Sequence, residues 1–556
     1  MQKALLPYLS ICLVLLSVSL CAQPTLNWGI AAQGFGAQYE DASSVTYDSQ
    51  ANIYVTGYFN SDTLVFGNDT LYRAGGTDVF IVKYDLLLVP QWAIRIGGTG
   101  DDYGIGITCD SSDHIVVVGN FSSASIIVGT DTLTNNTSGT PDIFIARYDV
   151  NGNAIWARRE GTTDWDNVGA VDMNPLTGDI YVAGAFYNAD MVIQNDTFVN
   201  NGMYDMILMK FDLAGNYSWA RSAGGNYNDL GNGIAWDNGG NNVYISGGFA
   251  SDSFALPVDT LINAFGSLPD IFVIKYDGTN GNCIWARREG SIDNDHSVSV
   301  DVGPNGEAFV AGHYHSISFM FGNDTLTNMG MGDVFLLAYD SNGNPLWSST
   351  AGGMDHDFGY HVWVDNGGRL YLSGMFMSMS ITFGQLTYMN ASADEDMFMM
   401  MYDPFGNPQL GLSGGGTGRD YISSIISNIA GIYLVGSFTT PVMTLGSSTL
   451  TNTDQTGTTS DPFIGTSGLP LKIDSHTTAE ELNVYPNPGT GIFTFNSSTS
   501  ASMQVEIVNS LGQVVYFTSA KNTLQYTIDL RDEPNGIYFA KVIAGGHVST
   551  YKLVKQ

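Results

Sequence analysis

Apolar positions along this chain fall in short runs broken by Gly, Asn and Asp, and no stretch keeps the three-to-four spacing of an amphipathic helix. The segment around Trp156 is typical. "IWARREG" reads as a strand, "TTDWDN" as a loop, "VGAVDMN" as a small-residue strand and "PLTGD" as a turn. "IYVAGAF" is a third strand, "MVIQNDTFV" a short hairpin, "YDMILMKFD" a fourth strand, and "LAGN" turns the chain into the next copy. The phrase "GNxxWAR", or a near relative, marks Trp92, Trp156, Trp219, Trp285 and Trp347; Trp28 opens the series and Leu410 closes it. The seven positions are 64, 64, 63, 66, 62 and 63 residues apart. A period this regular means one supersecondary unit copied seven times.

Four-stranded units repeated radially build a β-propeller. The expected fold is therefore all-β: a seven-bladed β-propeller over residues 24–468, followed by a small Ig-like β-sandwich. The last copy ends at "DPFIGTSG" (461–468) with no Trp strand after it, and "LNWGIAA" near the start has no partner strand before it. If the N-terminal strand completes the last blade, no sheet edge is left open. Residues 469–480 read as a linker, and 481–556 as a separate turn-rich β module.

Two resemblances add to this reading. "GTDVFIVKYDLLLVPQW" and "PDIFVIKYDGTNGNCIWARREGS" resemble the bacterial β-propeller repeats of secreted and surface proteins. "LNVYPNPGTGIFTFN", "VEIVNSLGQVVY" and "YTIDLRDEPNGIYFAKV" resemble the C-terminal (type A) sorting domain of type IX secretion cargo in Bacteroidetes. The resemblance rests on Tyr485, Pro486, Asn487 and Pro488, on Leu511 and Gly512, and on Gly536, Ile537 and Tyr538. It implies type IX machinery as a partner, passage through the outer membrane, and processing that leaves the protein secreted or on the cell surface.

Composition narrows the function classes. The chain of 556 residues carries a formal net charge of −34, with 45 Asp against 9 Glu. Asp favours turns, where its short side chain bonds nearby backbone N–H groups, so the acidity reads as turn chemistry. So acidic a chain is a poor match for nucleic acid or anionic membranes. Residues 1–22 read as a secretory signal peptide, with Lys3, an apolar run from Leu5 to Leu20, and a small-residue cleavage region at Cys21-Ala22-Gln23. No later segment is long and apolar enough for a transmembrane helix. Cys109 and Cys283 remain, in different repeats, and read as buried small hydrophobes rather than a metal pair.

Three sets of Asp recur in register. Asp102, Asp166, Asp229, Asp295, Asp357 and Asp420 each lie ten residues after the Trp position, with Asp41 aligning after a shift. As a ring near the axis they are a candidate cation site, Ca2+ being the natural hard ion; the competing reading is a loop-holding role. Asp78, Asp142, Asp205, Asp270, Asp333, Asp396 and Asp461 each open an apolar strand. Asp85, Asp149, Asp212, Asp277, Asp340 and Asp403 begin the D-x-x-G-N turn into the Trp strand, where the last copy has Gly468. "DTL" and its relatives place Thr63, Thr70, Thr132, Thr260 and Thr325 in a setting similar to the Asp-Thr/Ser-aliphatic acceptor for O-glycosylation in Bacteroidetes, or in plain hairpin turns. Histidines concentrate in copies five and six, at His296, His313, His315, His356 and His361. No nucleophile-elbow, zinc-protease or phosphate-loop motif is present, and no cofactor is expected. The expected function is a non-enzymatic adhesion or ligand-binding scaffold for a glycan or protein, with no nucleic-acid partner. An exported propeller hydrolase or lyase acting on polysaccharide or glycoprotein is the alternative, and a quinoprotein dehydrogenase a third.

Overall fold

The computed structural model describes residues 33–35, 39–468 and 483–556, apart from short interruptions at 238, 393, 429, 446–447, 510–513, 532 and 545–546. The expected signal peptide, the strand around Trp28, the linker, Leu511 and Gly512 lie outside the described residues. Among the described residues every regular element is a β-strand.

Seven antiparallel sheets follow one another along the chain. The first contains Glu40–Tyr47, Ile53–Phe59, Asp78–Tyr84 and Pro90–Ile96, paired in that order. The same order recurs in each sheet; the seventh shows three described strands, Asp420–Asn428, Gly431–Phe438 and Asp461–Gly468. The first strands of neighbouring sheets pack against each other, so they line the axis. The expected accessory hairpin follows the second strand of every sheet; in the first it is Thr63–Phe66 with Asp69–Tyr72. Each blade is thick with buried Val, Ile, Leu, Phe and Tyr, and the apolar clusters straddle neighbouring blades.

The ring closes on itself. One apolar cluster joins Val45, Ile53 and Val55 of the first blade to Ile426, Tyr433, Val435 and Ile464 of the seventh. Polar bonds span the same seam: the Glu40 N–H donates to Ser460, and the Tyr421 hydroxyl donates to Asp41 at 2.6 Å. The short strand Gln33–Phe35 pairs with the first accessory hairpin, Gln33 opposite Val65. The tail of the fifth blade's outer strand pairs with the sixth blade's hairpin in the same way, Ala351 opposite Phe383. Gln33–Phe35 thus stands where the tail of a Trp strand belongs, directly before the first blade.

The recurrent Trp is a clamp between blades. The indole N–H of Trp92, Trp156, Trp219, Trp285 and Trp347 donates to a carbonyl in the next blade's turn, at Val150, Leu213, Thr279, Ser341 and Pro404 respectively, over 3.1–3.2 Å. The ring lies on the turn's glycine: a Cβ on Gly343 would come within 2.8 Å of Trp285, and Gly343 has φ +77°. Only glycine meets both demands. The turn is shaped by its Asp. Asp340 accepts the Asn342 and Asn344 N–H groups at 2.9 and 2.8 Å, and the Asn344 side chain besides. Asp149, Asp212 and Asp403 do the same, and their carboxyls are held below the usual range by these bonds.

The C-terminal unit joins Asn483–Tyr485, Ile492–Asn509, Val514–Asp529, Gly536–Ala544 and His547–Lys555 by antiparallel pairing into one sheet, with Phe493, Phe495, Ile507, Ile528 and Leu553 buried. The facing sheet of an Ig-like sandwich is not among the described pairings.

Replacing Trp285 by Ala is expected to lower the unfolding free energy by about 3 kcal/mol, read by urea denaturation. Leu410→Trp should gain nothing, because the D-x-x-G-N phrase of the other receiving turns does not follow Asp461–Gly468 in the sequence.

Candidate ligand-binding site

The carboxylate recurring ten residues after Trp opens every inner strand and is fully buried. Asp102 accepts the Gly98 N–H at 2.8 Å, the Ser123 N–H at 3.2 Å and the Ser123 hydroxyl at 2.7 Å. Asp229, Asp295 and Asp357 are bonded alike through Ser251, Ser316 and Ser378, Asp420 through Thr440, and Asp166 through Thr162. All but Asp166 hold the loop before the inner strand to the end of their own second strand; Asp166 bonds within that loop. Among the described residues no three His, Cys, Asp or Glu side chains are grouped as a metal ion would require.

In the first blade the position belongs to Glu40, not Asp41: Glu40 faces Phe59 as Asp102 faces Phe121, and Ser61 donates to its carboxylate. The shifted alignment of Asp41 is therefore corrected by one residue. Only the longer Glu is buried there, and Asp41 is turned to the other face of the strand.

The strand-opening Asp78, Asp142, Asp205, Asp270, Asp333, Asp396 and Asp461 are also buried. Each accepts a backbone N–H from the end of its hairpin, as Asp78 does from Ala74 at 2.7 Å. Arg95, Arg159 and Arg288 neutralise three of them. Across every blade junction one of these carboxyls faces the inner-strand carboxyl of the next blade: Asp78 with Asp102, Asp142 with Asp166, Asp333 with Asp357, and Asp461 with Glu40. Burial pushes Asp102 and Asp229 up to about 6, Asp357 to about 7, Asp166 to about 8 and Glu40 to about 9, and the facing carboxyl adds to each.

The residue after the buried carboxylate faces the axial mouth, and here the seven copies stop repeating. In blade order it is Asp41, Tyr103, Asn167, Leu230, His296, Phe358 and Tyr421, all half-buried. Opposite these, on the second strand, stand Tyr58, Asn120, Ala185, Gly248, His313, Met375 and Ser437. This second column lies between one that is glycine in all seven blades, from Gly57 to Gly436, and one that is aromatic in all seven, from Phe59 to Phe438. Framework on both sides is fixed while the mouth varies. A β-bulge two residues into every inner strand marks the same level.

Side chains from neighbouring blades knit the mouth into an arc from blade five round to blade three. Asp41 accepts the Tyr58 hydroxyl at 3.1 Å, the Tyr421 hydroxyl at 2.6 Å and the Ser437 hydroxyl at 2.6 Å. Tyr58 and Tyr103 meet edge to face at 4.9 Å. The Asn120 amide donates to Asn167 at 2.9 Å and accepts the Val168 N–H at 3.0 Å. Tyr421, Tyr360, Phe358, His313 and His296 continue the aromatic contacts through blades seven, six and five. His315 and His356 extend them outward. Burial pushes His296 down to about 4 and His313 well below its usual value, so both are neutral at pH 7, and the buried Nδ1 atoms of His313 and His356 have no partner among the described residues. Blades three and four offer Asn167, Ala185, Leu230 and Gly248, so the wall is low on that side. Above it the loops expose Tyr39, Trp165 and Tyr227.

Deeper in the channel, Asp172 accepts the Trp236 N–H at 2.7 Å and Asp301 the Val364 N–H at 2.6 Å, while His361 accepts from Ile425. These side chains satisfy the free inner edge of the next blade. Cys109 and Cys283 are free thiols.

Of the hairpin threonines, Thr70, Thr132, Thr260 and Thr325 are exposed on the outer hairpin strand and Thr63 is half-buried. In the C-terminal unit the Tyr485–Pro486 and Asn487–Pro488 bonds are cis. Asn487 accepts the Val554 N–H at 2.8 Å and donates to the Lys552 carbonyl, so this turn grips the last strand. Tyr538 is buried and bonds the Pro534 carbonyl.

Comparison with known proteins decides the C-terminal unit, because residues 483–556 match the family described as the secretion system C-terminal sorting domain. This unit is a type IX sorting domain. The chain is therefore exported by that route, towards the cell surface or the extracellular space. No helix among the described residues is long and apolar enough to cross a membrane. Half of the chain is similar to a WD repeat-containing protein of Acanthamoeba polyphaga mimivirus, 26% identical over 347 residues, covering 50% of this chain and 24% of the relative. The chain is also similar to the regulatory protein FlaEY of Caulobacter vibrioides, 24% identical over 512 residues, covering 84% of this chain and 51% of the relative. The chain thus spans about half, or less, of the length of these relatives. Among solved structures, quinohemoprotein alcohol dehydrogenase from Comamonas testosteroni aligns at 10% identity and a TM-score of 0.35, covering 84% of this chain and 80% of its own.

Sequence register alone hides the mouth, because it places Asp41 with the buried set; the one signal of it in the sequence is a column that fails to repeat across the seven copies.

Carboxyls with raised folded values bind protons more tightly folded than unfolded, so their contribution is fully present below the ordinary carboxylate range and is lost as pH rises through the folded values. The melting temperature is expected to fall between about pH 4 and about pH 9. Asp357→Asn should flatten that slope, as followed by thermal melts across pH.

Proposed function

We propose that this protein is an exported, non-enzymatic binding scaffold, secreted or displayed at the cell surface, that takes its ligand on the axial mouth of the propeller. The observation that carries this is the divergence of one ring of residues within an otherwise repeated framework. A purely structural ring has no reason to place Asp, Tyr, Asn, Leu, His, Phe and Tyr at seven equivalent positions. Half-buried aromatic and polar side chains held by their neighbours form a preorganised surface, which lowers the ordering cost of binding. The carboxylates that a hydrolase would need are otherwise employed: Asp172 and Asp301 each accept a backbone N–H from the next blade.

Attachment of the full-length secreted protein to cells or extracellular material should fall more than about tenfold in the Tyr103→Ala/Phe358→Ala/Tyr421→Ala variant, with its melting curve retained. Release of products from a polysaccharide panel, abolished by Asp301→Asn, would instead support the hydrolase. Calcium or a chelator should leave the melting temperature unchanged, since each buried carboxylate is bonded within its own blade.

The exposed hairpin threonines Thr70, Thr132, Thr260 and Thr325, with the half-buried Thr63, are proposed O-glycan acceptors. Intact-mass measurement of native protein should show hexose increments that decrease when these threonines are changed to Ala.

A further inference from the structure

We infer that the ligand at the axial mouth is a neutral saccharide, stacked on the aromatic arc that runs from blade six through blade seven to blade two. This rests on the reading of the mouth as a binding surface and names what it takes.

Three observations converge on that chemistry. First, the arc presents flat rings at two levels. Tyr360 and Tyr421 lie 6.0 Å apart on one side, and Tyr58 and Tyr103 lie 4.9 Å apart on the other, each half-buried and therefore open on part of its surface. Trp165 stands exposed on the rim across the low side. The electron-rich face of such a ring attracts the edge-positive C–H groups of a partner, and a pyranose carries a patch of them on its face. Second, polar groups lie beside the rings. Asp41 is fixed by three hydroxyl donors, which set its carboxylate at the centre of the arc. The buried Nδ1 of His313, behind the ring of Phe358, has no partner among the described residues. Asp41 already has its donors, so His313 is the group that a ligand hydroxyl would satisfy and an aliphatic ligand would leave unpaired at a cost. Third, the charge selects neutrality. Neither mouth column contains a Lys or Arg, and the chain carries −34 overall. On the rim, Arg419 is paired with Glu395 at 3.6 Å, so uronic-acid polymers, sulfated chains and nucleic acids would meet repulsion without a free cation among the described mouth residues.

The test is isothermal titration of the full-length secreted protein with cellohexaose, maltoheptaose, mannohexaose and galactohexaose, beside polygalacturonate and heparin. At least one neutral oligosaccharide should bind, with a change in Trp fluorescence, and the two acidic polymers should not. Tyr103→Ala and Trp165→Ala should each weaken that binding more than about fivefold, while Tyr421→Phe, which keeps the ring and loses only the bond to Asp41, should weaken it less. Trp165 is half exposed, so its variant remains informative even if Tyr103→Ala fails to fold. Binding of the acidic polymers alone, or of no saccharide while the triple mouth variant still abolishes attachment to cells, would overturn the saccharide and leave the mouth as the binding surface. Saccharide binding or cell attachment indifferent to every mouth variant would overturn both.

Discussion

Each blade from the first to the fifth is held to its successor by one indole seated on a turn, and much of the sequence can be read as provision for that contact. The turn must bring a carbonyl to the indole N–H and keep its own backbone flat beneath the ring. Glycine at positive φ does the second, and an Asp that gathers two or three N–H groups fixes the first. The D-x-x-G-N phrase is thus the receiving half of a clamp whose donating half lies in the preceding repeat. This explains the odd copy. Leu410 stands in place of Trp where the strand of the seventh blade that should lead into a receiving turn, Asp461–Gly468, is not followed by the D-x-x-G-N phrase. At the other end, the first blade's turn, Asp85 to Val89, has buried Leu88 at φ +60° where the other blades have glycine.

The architecture was legible because its requirements are local and recur. Trp, Gly and Asp each answer a steric or hydrogen-bonding demand that arises once per blade, so period and strand order could be read without any knowledge of distances. The mouth was hidden for the complementary reason. Its residues share no type, and the single displacement that separates Asp41 from Glu40 cannot be settled by counting letters. It is settled by which carboxylate fits a buried pocket beside Ser61, and burial is not written in a single sequence. The aromatic and imidazole contacts between blades five, six and seven join residues 45 and 61 positions apart, His313 with Phe358 and Tyr360 with Tyr421, and a repeat period alone does not say which of these side chains touch.

The two classes of carboxylate divide the chain's acidity between opposite electrostatic situations. Exposed turn Asp are stabilised as anions by the N–H groups they collect. Junction Asp are buried against one another, where charge is costly and a proton is welcome. The formal charge therefore overstates the charge borne by the folded propeller near neutrality. The mouth, lined by neutral rings and amides with one anchored carboxylate, sits apart from both.

The indole clamp has a direction: a blade donates forward and receives from behind. Such head-to-tail contacts form closed rings only when the rotation per step divides the circle, and otherwise propagate. A chain that lost one blade by recombination would keep an unmatched forward-donating indole at one end and an unoccupied receiving turn at the other. Its simplest remedy is another molecule, so the contact that joins successive blades here is also a latent rule for filament growth.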